Sequence, residues 1–403
     1  MDQQTTILTD TAAGIWHDTL ELSSEHSGPL AGSPHWSITK RTLRGGRSHG
    51  VDVVELHNGV MSVSVLPTRG MGLWKGQHGN LPLGWNSPVT LPVNPAYMDL
   101  TERNGLGWLT GFNEWMCRCG LSSHGAPGLD SAIDNNGNPI ETSLTLHGKI
   151  ACLPAHYVEV SVDPAGGNGR GVLRVTGVID ETMMFGPCLQ LRSTLELVAG
   201  SSALKITDEI TCTGGQPTEM ELLYHTNFGQ PFLEQGARFA APVREVAPVN
   251  ARAAEGIDTW TEYAGPVPGY VEQCYFVDLA GREDGASLAM LHNAEASRGV
   301  RLDFNLRELP HFTLWKNTQA EADGCVTGLE PGTSFPNHRR TEREHGRIIS
   351  LAPGDTYRTR LALTVLDSSE AVAASLADVR QIQDGVELRT HRQPESGFPL
   401  RQS

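Results

Sequence analysis

An all-β fold with a few short helices is the prediction for this 403-residue chain, and three features carry it. Short segments of alternating apolar and polar residues recur along the sequence. Turn residues separate them at intervals of roughly ten to fifteen residues, a spacing that suggests a sandwich or barrel rather than βαβ units. Helical periodicity is scarce. Gly is 44 and Pro 24, and no segment is low in complexity, which fits many short strands joined by tight turns. No repeat of fixed period points to a propeller or solenoid. A chain this long has two domains by default, and large β-sandwiches are the exception expected here.

The elements follow in order. VDVVELHNGVMSVSVLP (51–67) reads as two strands around His57-Asn58-Gly59, because Asn-Gly is the strongest short hairpin signal. HYVEVSVDP (156–164) alternates and ends in the loop 165–169. GVLRVTGVID (171–180), LQLRSTLELVAG (189–200) and SALKITDEITCTGG (202–215) are further strands. RIISLAPGDTYRTRLALTVL (347–366) supplies two more, joined at 353–355. SSEAVAASLADVRQIQDG (368–385) has apolar residues at 371, 372, 376, 379 and 382, the spacing of a helix face. Asp367, Ser368 or Ser369 can cap its start and Gly385 its end. The stretch 81–140 is rich in Gly, Asn and Pro, and four of the eight tryptophans fall within 74–115. Long irregular segments of this kind are often binding loops, so a loop region over one face is expected. The domain expectation is an N-terminal extension (1–50) packed on the main domain, a β-sandwich domain (51–390) and a polar tail (391–403).

Composition removes several function classes. Lys plus Arg is 31 against 46 Asp plus Glu, a formal charge of −15. Such a surface repels phosphate backbones and anionic membranes, which argues against nucleic-acid and membrane partners. The opening MDQQTTILTDTAAGIW lacks the apolar stretch of a signal peptide, and no run of about twenty apolar residues occurs, so a cytoplasmic location is expected. Seven cysteines are scattered, and the one close pair, Cys117-Arg118-Cys119, has no second cluster. Structural zinc needs four converging ligands, so free, mostly buried thiols and no metal are expected.

Three segments set an ionisable residue where strand meets turn. In LTLHG, His147 ends an alternating run and Gly148 permits a close approach by ligand or backbone. In MELLYHTNFG, an apolar strand delivers His225 and Asn227 to one face, being two residues apart. In GLEPG, Glu330 follows an apolar pair and precedes a proline that donates no hydrogen bond. A carboxylate so poorly hydrated has a raised pKa and becomes a usable general base. Each alone has an ordinary structural reading, as a packed histidine or a turn; their shared context favours a site. Arg69, in Pro67-Thr68-Arg69-Gly70, is a candidate ligand-binding residue or an arginine paired with a carboxylate to fasten a turn. Trp315 can stack on the apolar side of a sugar ring or pack in a core, and Lys316 lies beside it. The cluster His338-Arg339-Arg340 is read as a solvated loop, since Glu342 and Glu344 follow.

These segments resemble a known family. LTLHGKIA is similar to the Leu-His-Gly element of the aldose 1-epimerases (galactose mutarotases). LLYHTNFG resembles their Asn-His-x-Tyr-Phe-Asn segment, with Tyr224 and Thr226 replacing the usual neighbours. GLEPGTSFPN resembles their Leu-Glu-x-Gln…Pro segment, and the order His, His, Glu matches. GYVEQCYFVDL (269–279) resembles the stretch that supplies a substrate-holding aspartate, with Glu272 in its place. The longer LPTRGMGLW, GFNEWMCRCGLSSHGAPG and LPHFTLWKNT resemble a divergent, little-characterised bacterial branch of that superfamily.

The resemblance implies a galactose mutarotase-like β-sandwich acting without a cofactor on a small-molecule carbohydrate. It implies His225 as general acid at the ring oxygen and Glu330 as general base at the anomeric hydroxyl. His147 would hold the ring oxygen or a hydroxyl, Glu272 would bind adjacent hydroxyls, and Arg118 lies near where the family places a substrate-binding arginine. Asn227, Arg69, Trp315 and Lys316 complete the candidate set. Two other readings stay open: elimination or hydrolysis on the same scaffold, with Tyr224 or Lys316 near the base, and carbohydrate binding without catalysis.

Overall fold

Alternation of side chains produces two large sheets. The computed structural model describes residues 4–166 and 169–399. Residues 167–168 of the expected loop, residues 1–3, and 400–403 of the expected tail lie outside the described residues. Among the described residues the strands form a ten-stranded sheet, a fourteen-stranded sheet and a two-stranded hairpin. Tyr157–Asp163, Val172–Thr182, Cys188–Val198 and Ala203–Cys212 stand side by side in the ten-stranded sheet, joined by Thr356–Leu366. The fourteen-stranded sheet carries Asp52–His57, Met61–Leu66, Gly72–His78, Met116–Leu121, Thr218–Phe228, Cys325–Gly332, His311–Thr318 and Gln273–Leu279. One apolar core draws on both sheets, with Leu173, Val175 and Leu191 from one and Val63, Leu222 and Tyr224 from the other. The sheets therefore face each other through it, and each such fully buried large side chain contributes about 1.5–3 kcal/mol.

The expected hairpin at 51–67 is present, and its turn does more than reverse the chain. Buried Asn58 accepts from the backbone of Met61 at 2.9 Å and donates to the carbonyls of Val198 and Ser201 at 2.7 and 2.8 Å. It thus ties one sheet to the other. Gly59 has φ +102°, and a Cβ there would collide with Ser33. The expected helix is Ser369–Gln383, with Ser368 capping the amide of Ala371 and Val372, Val379 and Ile382 buried. No helix among the described residues is long and apolar enough to cross a membrane.

Three expectations change. The described part of the expected N-terminal extension does more than pack on the main domain: Gln4–Asp10 pairs with Tyr157–Asp163, while Thr19–Ser23 and Ser37–Thr42 lengthen the fourteen-stranded sheet. The expected polar tail is not polar throughout, since Phe398 is buried against Phe335, ring centroids 5.7 Å apart. The stretch 81–140 is not all loop, since it contains the strand Met116–Leu121, buried on both faces.

Candidate functional site

Two adjacent strands show how the site is positioned. Met116–Leu121 and Thr218–Phe228 are antiparallel, with Arg118 opposite Tyr224 and Cys117 opposite His225. Residues directly opposite share a face and successive residues alternate, so Arg118 and Tyr224 point one way, Cys117 and His225 the other. The first pair reaches Asp208 of the ten-stranded sheet, so that face lies between the sheets. His225 and Asn227 stand on the outer face, covered by Trp108 and Phe112 from the segment 107–112.

On this outer face the His225 Nε2 lies 3.2 Å from Glu330 Oε1, and both side chains are buried. The opposite ring nitrogen, Nδ1, is 2.7 Å from Asn227 Oδ1. Asn227 gives its amide nitrogen to the carbonyls of Glu114 and His225, so its oxygen is the acceptor and Nδ1 of His225 carries the hydrogen. Nε2 therefore turns a lone pair toward Glu330. Gly328, two residues before Glu330 on the same face, leaves room for the carboxylate; a Cβ there would strike Oε1.

Around the pair stand aromatic rings. Phe112, His147 and Trp315 lie 5.2, 5.2 and 5.3 Å from the His225 ring, and Trp108 stacks on Phe112 at 4.4 Å. His147 sits beyond the hairpin in a left-handed turn, φ 59°, with Nδ1 3.0 Å from the carbonyl of His124. The close approach at Gly148 is by backbone: a Cβ would meet the carbonyls of Ser123 and Gly120. Trp315 Nε1 donates to the exposed Glu272 carboxylate at 2.8 Å. His147 and Trp315 are partly exposed, so they and Glu272 form a rim over the buried pair.

Burial dominates the electrostatics. It pushes the Glu330 carboxyl up to about 8, with Glu272 adding and His147 opposing. Burial, and then the neighbouring His147, holds the His225 imidazole well below its ordinary value. Both groups are favoured uncharged, so the pair shares one proton, resting on Glu330. Behind His147, fully buried His124 contacts Ser334 Oγ at 2.7 Å, and that hydroxyl donates to Glu221 at 2.9 Å. Burial lifts Glu221 to about 8 and lowers His124 to about 3.

Of the sequence-predicted residues, the structure brings together His225, Glu330, His147, Asn227, Trp315 and Glu272. It does not bring Arg69, Arg118 or Lys316 to them. Arg118 spends its donors on Asp208, Ser193 and the carbonyls of Gly70 and Met71, between the sheets. Arg69 is fully buried against Glu114 at 2.6 Å and bonds the carbonyls of Ala151 and Val93, fastening loops rather than meeting a ligand. Lys316 alternates away from Trp315, donates to the carbonyls of Trp260 and Glu262, and is lowered to about 8 by burial. Burial likewise raises the Cys117 and Cys119 thiols, which leaves them unreactive.

Sequence reasoning missed Trp108, Phe112 and Thr313. Thr313 stands directly across from Glu330, its buried hydroxyl without a partner. The tryptophan-rich stretch within 74–115 was the available signal for the first two. Among the described residues, no three His, Cys, Asp or Glu side chains converge as a metal would require.

Comparison with known proteins agrees with this architecture. The family described as "Domain of unknown function (DUF4432)" matches residues 48–365. A "putative aldose 1-epimerase" from Klebsiella pneumoniae subsp. pneumoniae MGH 78578 is similar over 97% of this chain and 99% of its own, with 34% identity and a TM-score of 0.91. A galactose mutarotase-like protein from Clostridium acetobutylicum is similar over 80% of this chain and 97% of its own, with 14% identity and a TM-score of 0.52, a likeness of fold alone. No functionally curated protein matches the sequence. The chain belongs to the DUF4432 family and, with its galactose mutarotase-like β-sandwich, to the aldose 1-epimerase superfamily.

Proposed function

We propose that the protein interconverts the α and β anomers of a sugar or sugar derivative by acid/base ring opening. The observation that carries this is the buried His225–Glu330 contact of 3.2 Å, flanked by the rings of Phe112 and Trp315. The anomeric hydroxyl and the ring oxygen of a hemiacetal are bonded to the same carbon, so their base and acid have to stand close together. With the shared proton moved from Glu330 to His225, the pair is carboxylate and imidazolium. Glu330 then takes the proton from the anomeric hydroxyl, whose electrons form the C1 carbonyl. The C1–ring oxygen bond breaks, and its electron pair receives the His225 proton. Rotation about C1–C2 and the reverse steps close the other anomer. The ring-opened state leaves a neutral acid and a neutral imidazole, the forms that burial favours. One proton hand-off across the contact resets the pair.

In this reading Asn227 fixes the His225 tautomer, His147 holds the ring oxygen or a hydroxyl, Trp315 stacks on the ring and Glu272 receives hydroxyls at the rim. An elimination reaction is less well supported, because Tyr224 and Lys316 both face the core and neither can serve beside Glu330. Exchange NMR on a panel of reducing sugars tests the proposal. Acceleration is expected for at least one sugar, lost in His225→Ala and Glu330→Gln, while His147→Ala mainly weakens binding. Bound sugars with no acceleration for any of them would overturn it.

A further inference from the structure

The outer face that bears His225 and Glu330 continues into a second feature. Next to the His225 strand come Met116–Leu121, Gly72–His78, Met61–Leu66 and Asp52–His57 in turn. In these strands Leu56, Val63 and Leu73 point into the core between the sheets, which leaves Glu55, Ser62 and Trp74 on the outer face. A cleft of about 760 Å³ lies there, lined by Trp74, Trp85, Asn113, Gln77, Lys75 and Glu55 among others.

The lining has a definite chemistry. Trp74 and Trp85 are both partly exposed indoles. Asn113 is 4% exposed, gives its amide nitrogen to the Val89 carbonyl at 2.9 Å, and leaves Oδ1 buried without a partner. An orphaned acceptor of this kind calls for a donor such as a ligand hydroxyl. The charged side chains of the lining, Glu55 and Lys75, balance, and Lys75 sits over the Trp74 ring at 4.3 Å. That set suits a neutral, hydroxyl-rich molecule with apolar C–H faces and does not form the cationic cluster a phosphate would want.

The cleft also borders the first site. Trp85 packs on Phe112 at 4.9 Å, and Phe112 packs on His225 at 5.2 Å. Trp85 Nε1 donates to the Glu114 carbonyl, the same oxygen that anchors Asn227. We propose that the cleft is a second carbohydrate subsite, so that the substrate is a neutral oligosaccharide with its reducing ring at His225–Glu330 and further rings along Trp74 and Trp85. The assignment of the reducing ring rests on the anomer-exchange reading of the first site.

The test compares neutral reducing mono- and trisaccharides of glucose, galactose, mannose and xylose, with binding followed by saturation-transfer NMR and turnover by exchange NMR. At least one trisaccharide should bind about tenfold more tightly than its monosaccharide, the scale of one aromatic stacking platform. Trp74→Ala should erase that difference and leave monosaccharide binding unchanged. Because Trp74 also touches a small apolar cluster, Gln77→Ala at an exposed position is the second variant, with an expected loss of about threefold. Trisaccharides that bind no tighter than monosaccharides, or a preference untouched by either variant, would overturn the subsite. If trisaccharides bind through Trp74 and Gln77 but no anomer exchange occurs, the subsite stands and the anomer-exchange reading falls. If no saccharide binds, both fall.

Discussion

The two faces of the strand pair Met116–Leu121 and Thr218–Phe228 bury ionisable groups equally deeply but treat them in opposite ways. Between the sheets, Arg118 meets Asp208 at 2.5 Å, Asp208 also accepts from Tyr224 at 2.7 Å, and Ser193 and Thr359 complete the network. On the outer face, Glu330 Oε1 faces the lone-pair side of the uncharged His225 at 3.2 Å. The finished network joins the sheets. The unfinished pair is driven toward its neutral forms and retains a proton it can give or accept. Depth of burial therefore does not distinguish the two groups; the partners that each one meets do.

The contrast can be broken by substitution. Glu330→Gln should lower anomer exchange by about a thousandfold or more, within the range of lost acid/base catalysis, while the protein stays folded. Exchange NMR beside a thermal melt checks this, and retained exchange would remove Glu330 from the chemistry. Asp208→Asn should do the reverse. Leaving Arg118 buried and uncompensated costs about 3–5 kcal/mol, read by denaturant unfolding, with exchange per folded molecule nearly unchanged. Parallel losses of exchange and stability would show that the two faces are not separable.

Asn227→Ala sharpens the comparison, because it frees the His225 ring without removing it. A fall in exchange of up to about a hundredfold is expected, with rescue in part by Asn227→Asp, which keeps the acceptor. A further test is pH dependence. Glu330 has a folded pKa of about 8, above the 4.5 of a free carboxyl, so its contribution to stability is full below about 4.5. It declines as pH rises and is gone above about 8. Glu330→Gln lacks this contribution, so its unfolding midpoint should rise relative to wild type from about pH 5 to 8. A constant difference across that window would mean that Glu330 is not the neutral acid its burial implies.

Much of this was legible before folding. The hairpin at Asn58-Gly59 and the four strands from 156 to 215 announce themselves by alternation and turn residues, both local properties. His225 and Asn227 could be paired because two residues along a strand always share a face. Arg118 and Lys316 failed for the complementary reason. Alternation separates a strand's two faces, but which one meets the other sheet depends on partners distant in sequence, here Asp208 for Arg118 and Glu262 for Lys316. The strand Met116–Leu121 was hidden because both faces are buried and no alternation marks it.

Local pattern alone was enough for the all-β class and the helix Ser369–Gln383, and it singled out the segments around His147, His225 and Glu330 as candidates, since each depends on neighbours a few residues away. Tertiary structure decided which of the buried ionisable groups are left unfinished. That outcome needs strands 311–318, 325–332 and 218–228 in register, a turn at 147 and the aromatic cover from 107–112, none of which is local. Whether a carboxyl is desolvated and unpaired depends on everything packed around it, and only the folded chain supplies that.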